Sequence, residues 1–355
     1  MARIRGALFV FLVLLSALVL SARALAQFHL PGLPGLPHLP SAQRLAIDAA
    51  SKRLAPYVQN NTPVRLDWSS VYPTVSQPPG GEFFPAAGHA GGAFSQVVAQ
   101  QLARSLNGVV NLAPGDYALP IRVYCTDIHR HAHQPENYLV GPLRGARASV
   151  LTALYSKVGA ARAPYHSVQV LSWSLQAGTR YTSLANDLRT LFNRLIPSMR
   201  GQISGSFIDQ MREQWSRYSI PGLPSFDSAL GQMDGLGQTI QSYQNAQSSI
   251  LANASNFDAL SASLAPQDRS GGRTMQSVPW SQVAPNIYMR SPSTGDFGSI
   301  GEMDIRVTGT PGQMVAVPIE SQILYPPGCP NCQPLTYNPE PVQPSGEDGG
   351  GGTPD

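Results

Sequence analysis

The sequence predicts an α+β protein: a mixed helix/strand core domain over residues 41–265, followed by a small C-terminal β-rich module over residues 274–328. Three observations predict it. Apolar residues recur at helical spacing through the middle of the chain, as in Leu143–Val158, where Val150, Leu151 and Leu154 share one face. Asn107–Asp127 reads as strand, Pro114-Gly115 turn, strand. After Pro266 the pattern changes to the strand-like runs Asn286–Arg290, Glu302–Thr308, Gln313–Ile319 and Gln322–Tyr325, with Pro311-Gly312 as a turn signal.

The first 26 residues have the form of a secretory signal. Arg3 and Arg5 give a positive start, Ala7–Leu20 is an apolar run too short to span a bilayer, and Ala24-Leu25-Ala26 is a small-x-small cleavage site. The mature chain is expected to begin at Gln27 and to be exported: periplasmic, at the cell surface or secreted. No later apolar run approaches a membrane span, so no transmembrane segment is expected after signal removal. The formal charge of +3 falls to about 0 once Arg3, Arg5 and Arg23 leave, because the signal holds no acid. A neutral chain lacks the basic face that a nucleic acid partner requires. Charged residues are only 13% of the sequence against 33 Gly and 32 Pro, which suits a loop-rich exported protein better than a cytoplasmic enzyme.

The other elements follow in order. Residues 27–40 repeat Leu-Pro and predict an extended, polyproline-like arm. Ser41 caps a helix that should run through Leu54 and end at Pro56. Val64–Val75 alternates as a strand, Pro78–Gly92 is a Gly/Pro loop, and Ala93–Leu106 has helical spacing. Val168–Gln176 is a second central helix, stopped by Gly178. Leu184–Met199 and Gln202–Tyr218 continue the helical region until Pro221-Gly222-Leu223-Pro224 breaks it. Residues 232–264, rich in Gln, Ser, Asn and Ala, read as a solvated helical hairpin or surface arm. From Gln333 the chain is Pro, Gly and acid, and residues 333–355 are expected to be a disordered tail.

The cysteine count is odd. Cys329 and Cys332, in Cys-Pro-Asn-Cys, can form a local disulfide in an oxidising compartment; no helix or βαβ context follows them, which argues against redox catalysis. Cys125 is then left over at the end of the strand Ile121–Tyr124. Gln169 opens an apolar helix and stands one turn from Trp173. A buried thiol beside a buried carboxamide permits one unusual reaction. Sulfur attacks the amide carbon, ammonia leaves, and a thioester joins strand to helix, an electrophile for an incoming amine.

Tyr124-Cys125 and Gln169-Val170-Leu171-Ser172-Trp173 resemble the thioester domains of bacterial surface adhesins over roughly residues 107–185. In that family an aromatic-Cys pair ends a strand, and a Gln-x-x-x-Trp helix follows an intervening helical segment. The resemblance implies a Cys125–Gln169 bond in a dry pocket walled by Tyr124 and Trp173. It also implies covalent attachment to a protein or surface amine at the cell envelope, with no cofactor. The helix departs from the family in reading Val-Leu-Ser where a small residue and Ile more often precede Trp.

Other readings stand beside this one. A free cysteine is commonly a small buried hydrophobe, Gln169 can simply hydrogen-bond a loop, and Trp173 can simply be core, leaving a structural envelope or secretion-apparatus component. His129, His131 and His133 alternate and could share one strand face as Zn or Cu ligands, with Asp127 or Glu136 adding an oxygen; but the segment follows a strand and runs into Gln134-Pro135-Glu136-Asn137, which favours an exposed polar loop. A Cys/His hydrolase would use Cys125 as nucleophile, His166, His131 or His133 as base, and Asp127 or Asn137 as orienter. Such a cysteine should open a helix, whereas Cys125 closes a strand.

Overall fold

The computed structural model describes residues 41–65, 68–128, 138–264, 278–293, 299–319, 322–325 and 335–341. The chain divides into Met1–Ala42 and a compact unit, Gln43–Asp355, and the architecture below is that of the second. The predicted arm, His129, His131, His133, Glu136, Asn137, Cys329, Cys332 and residues 266–273 between the two expected domains all lie outside the described residues.

The fold is α+β, with a β-rich C-terminal region. An antiparallel sheet contains β1 (Thr74–Val75), β3 (Gly115–Cys125), β4 (Leu139–Pro142), β5 (Trp280–Ala284), β6 (Ile287–Ser293), β7 (Gly301–Val307), β9 (Gln322–Tyr325) and β10 (Leu335–Pro339). Their spatial order is β1-β5-β6-β7-β3-β10-β9-β4. The sheet curls until β4 meets strands near the opposite end. Tyr138 N–H donates to the Ser291 carbonyl at 3.3 Å, and Val140 N–H donates to Ser281 Oγ at 3.1 Å. Closure of this kind removes exposed edges and encloses a core. Val123, Leu335, Tyr337, Met303, Ile305 and Met289 fill it, and the Tyr337 hydroxyl reaches Met289 Sδ at 3.9 Å across β3 and β7.

Three expectations about this region are corrected. The C-terminal strands do not form a module of their own, because β7 and β10 flank β3 on either side and β9 carries β4. Strand edges on β3 and β4 leave main-chain groups unpaired, and the distant C-terminal segment satisfies them. Nor does the expected tail begin at Gln333: Leu335–Pro339 is β10, with Leu335 and Tyr337 buried. Period-two alternation in this short run outweighs the surrounding Pro and acid. The Pro311-Gly312 turn does not pair its flanking strands either. β8 (Val315–Pro318) turns away from β7 to pair with β2 (Val109–Leu112) in a separate two-stranded sheet.

The helices are α1 (Ala42–Asn61), α2 (Ala93–Arg104), α3 (Ala148–Val158), α4 (Tyr165–Gln176), α5 (Asn186–Leu195), α6 (Phe207–Ser216), α7 (Phe226–Ala229), α8 (Asp234–Asn253) and α9 (Phe257–Leu264). α1 runs on through Pro56, because Ile47, Ala50, Leu54 and Val58 continue one buried stripe past it; burial of Val58 offsets the missing hydrogen bond. Val64–Val75 is not one strand: among its described residues Arg65 makes an isolated β-bridge to Arg144, Trp68–Ser70 is a 3-10 turn, and Thr74–Val75 pairs with β5. The polar stretch 232–264 is no solvated arm. Ile240 and Tyr243 of α8 join a second core with α1, α6 and α7, while Ala246, Ile250, Leu260 and Leu264 join the main one. Small and polar residues mask this stripe in composition, though Ile240, Tyr243 and Ile250 keep its helical spacing.

Candidate functional site

β7 begins at Gly301, opposite Ile121, so β3 outruns its partner by four residues on that side. Glu340 N–H donates to the Pro120 carbonyl from the β10 side. Alternation therefore turns the main-chain groups of Val123 and Cys125 toward the side that β7 has vacated. Both residues are buried, and these groups need partners there.

Helix α4 supplies them with side chains. The Tyr165 hydroxyl donates to the Val123 carbonyl at 3.1 Å. Cys125 N–H donates to Gln169 Oε1 at 2.9 Å, and Gln169 Nε2 donates back to the Cys125 carbonyl at 3.3 Å. Gln176 Nε2 donates to the same carbonyl at 2.7 Å and to Ser172 Oγ at 2.8 Å; Ser172 Oγ and the Tyr155 hydroxyl lie 2.5 Å apart. Tyr165, Gln169, Ser172 and Gln176 fall at i, i+4, i+7 and i+11, one stripe of the helix. That polar stripe replaces the missing strand. The amide orientations follow from chemistry: the Cys125 N–H can only donate and its carbonyl can only accept.

The sequence-predicted pair, Cys125 and Gln169, is thus brought together in a buried setting, at 1% and 0% exposure. Burial pushes the Cys125 thiol well above its ordinary pKa, so the sulfur stays protonated at neutral pH. Trp173 is fully buried and stacks on Phe257, with ring centroids 5.6 Å apart. Tyr124 does not wall the sulfur. Consecutive strand residues point to opposite faces, and its ring packs on Tyr155 and Tyr165 at 5.2 and 5.0 Å. His166 is exposed and stacks on Phe257 at 4.0 Å; Asp127 is half-buried. Among the described residues no cluster of His, Cys, Asp or Glu could hold a metal, and no helix is long and apolar enough to cross a membrane.

Sequence reasoning missed the supporting residues. Gln176, Ser172 and Tyr165 announce themselves only as a heptad-spaced polar stripe on an otherwise apolar helix. Arg147, buried just before α3, donates to the carbonyls of Leu175, Thr179 and Gly205 at 3.3, 2.7 and 2.9 Å, and so grips the C-terminal end of α4. Burial lowers its pKa to about 10. The α4 terminus itself is closed by Gly178, whose φ of +77° suits glycine and whose Cβ would sit 2.4 Å from Phe207 Cβ. An open cleft of about 500 Å³, bordered by Gln96, Gln100, Arg122, Tyr165 and Glu340, reaches the outer side of Tyr165.

No family model, curated protein or solved structure matches the chain.

Proposed function

We propose that the chain is an exported envelope or surface protein that attaches covalently to amines through an internal Cys125–Gln169 thioester. The observation that carries the reading is the paired contact between the Gln169 carboxamide and the Cys125 main chain. The Cys125 N–H that binds Oε1 polarises the amide carbonyl and would hold the oxyanion of a tetrahedral intermediate. The Sγ–Cδ bond forms, the Cδ–Nε2 bond breaks, and the thiol proton leaves with the nitrogen as ammonia. Burial protects the product from water. An incoming amine then attacks Cδ, takes the acyl group as a stable amide and returns the Cys125 thiol. Tyr165 borders the open cleft and lies one turn from Gln169, which gives an approach for that amine. Export rests on the charged start, apolar run and small-residue site in Met1–Ala26.

The Tyr165–Val123 bond favours a second reading, in which the stripe on α4 only caps a strand edge and Cys125 stays a thiol. Intact mass of the purified full chain separates the two. The thioester lowers the mass by one ammonia; methylamine raises it by one methylamine; Cys125→Ala abolishes both effects. An unreduced mass together with full alkylation of Cys125 after denaturation overturns the thioester and leaves the cap.

A further inference from the structure

We infer that Gln176 is a positioning residue for the proposed thioester, one that keeps the Cys125 carbonyl satisfied when Gln169 gives up its nitrogen; this rests on the reading above. In the open form that buried carbonyl has two donors, Gln169 Nε2 at 3.3 Å and Gln176 Nε2 at 2.7 Å. Ring closure expels Gln169 Nε2 as ammonia, so the longer of the two bonds vanishes with the chemistry. Gln176 is unchanged by the reaction and already holds the shorter bond. Its other N–H is fixed on Ser172 Oγ, which pairs with the Tyr155 hydroxyl, so the amide cannot turn away without breaking that chain. Gln176 Oε1 has no hydrogen-bond partner, consistent with an amide oriented wholly by what its nitrogen must do.

The two states of the ring therefore depend on Gln176 differently. Without it, the open form keeps Gln169 as donor, whereas the closed form leaves a buried carbonyl orphaned beside the new bond. A carbonyl in search of a donor admits water, and water is the reagent from which the thioester must be kept. Cys125→Ala, by contrast, cannot close the ring and keeps the Gln169 carboxamide as donor.

The test uses Gln176→Met in the full chain, which preserves length and removes the donor. Against wild type, the thioester should hydrolyse or react with methylamine roughly tenfold faster, from the usual cost of an orphaned buried carbonyl. The thermal midpoint should fall more in the closed form than in the Cys125→Ala background, a difference that a merely structural cap would not produce. Equal rates, with equal loss of stability in both forms, overturn the inference and leave the thioester standing. A wild-type protein that is not lighter by one ammonia overturns both.

Discussion

Replacing Arg147 by methionine should cost about 3 kcal/mol of folding stability. The guanidinium is buried and donates to three carbonyls. Hydrogen bonds from a charged donor contribute roughly 1.5–3 kcal/mol each. Leu175 keeps a second donor, Gly178 N–H at 3.1 Å, so only Thr179 and Gly205 lose their partner. Two such bonds give roughly 3–6 kcal/mol. Burying the cation works against them, as its pKa of about 10 records, and the lower end of that range applies. Methionine keeps much of the stem volume, so no large cavity adds to the loss. Arg147→Lys should recover about half, because one ammonium cannot span three carbonyls held in a fork. Urea denaturation followed by circular dichroism measures both. If Arg147→Met unfolds within about 0.5 kcal/mol of wild type, the clamp on α4 is not a stabilising contact and the reasoning fails.

Two other outcomes follow from the same structure. Burial raises the Asp304 carboxyl to about 6 although it accepts from Arg290 Nε at 2.7 Å. The folded state thus holds a proton that the unfolded chain, near 3.8, releases; this contribution is full below about 4 and is lost as pH rises through about 6. Asp304→Asn should flatten that part of the stability–pH curve between pH 4 and 7, and an unchanged slope would exclude Asp304 as its source. Gly178→Ala meets both a left-handed φ and the Phe207 Cβ, so a loss of at least about 2 kcal/mol is expected by chemical denaturation. A neutral result would mean that the turn after α4 can relax.

What was legible in the sequence was whatever local spacing dictates. Tyr117, Leu119, Ile121 and Val123 alternate on β3, and Val168, Leu171 and Leu175 mark α4, so both elements could be read directly. Gln169 was legible as a residue in need of a polar partner, because a glutamine in an apolar helix cannot stay unpaired; that its partner is the Cys125 main chain was not. Strand partners were not legible. Nothing in Leu335–Pro339 says that it lies between β3 and β9, because register is settled by the whole buried face and not by five residues. Gln176 was hidden because its role exists only once β7 stops short of Val123. Arg147 was hidden because its partners are carbonyls, which leave no mark in a sequence. Pro56 misled because a rule about helix interiors was applied without the burial that overrides it.

The position of β10 sets an order of events. The strand that covers one side of Cys125 is made about two hundred residues after the cysteine itself. A growing chain that has not reached Leu335 holds β3 with one side uncovered, so its cysteine and glutamine are not yet shut away from water. Pairings this distant form slowly and only after the intervening chain is complete. The pocket is therefore finished only once Leu335–Pro339 has been made and paired, and any chemistry that needs it dry comes after that pairing.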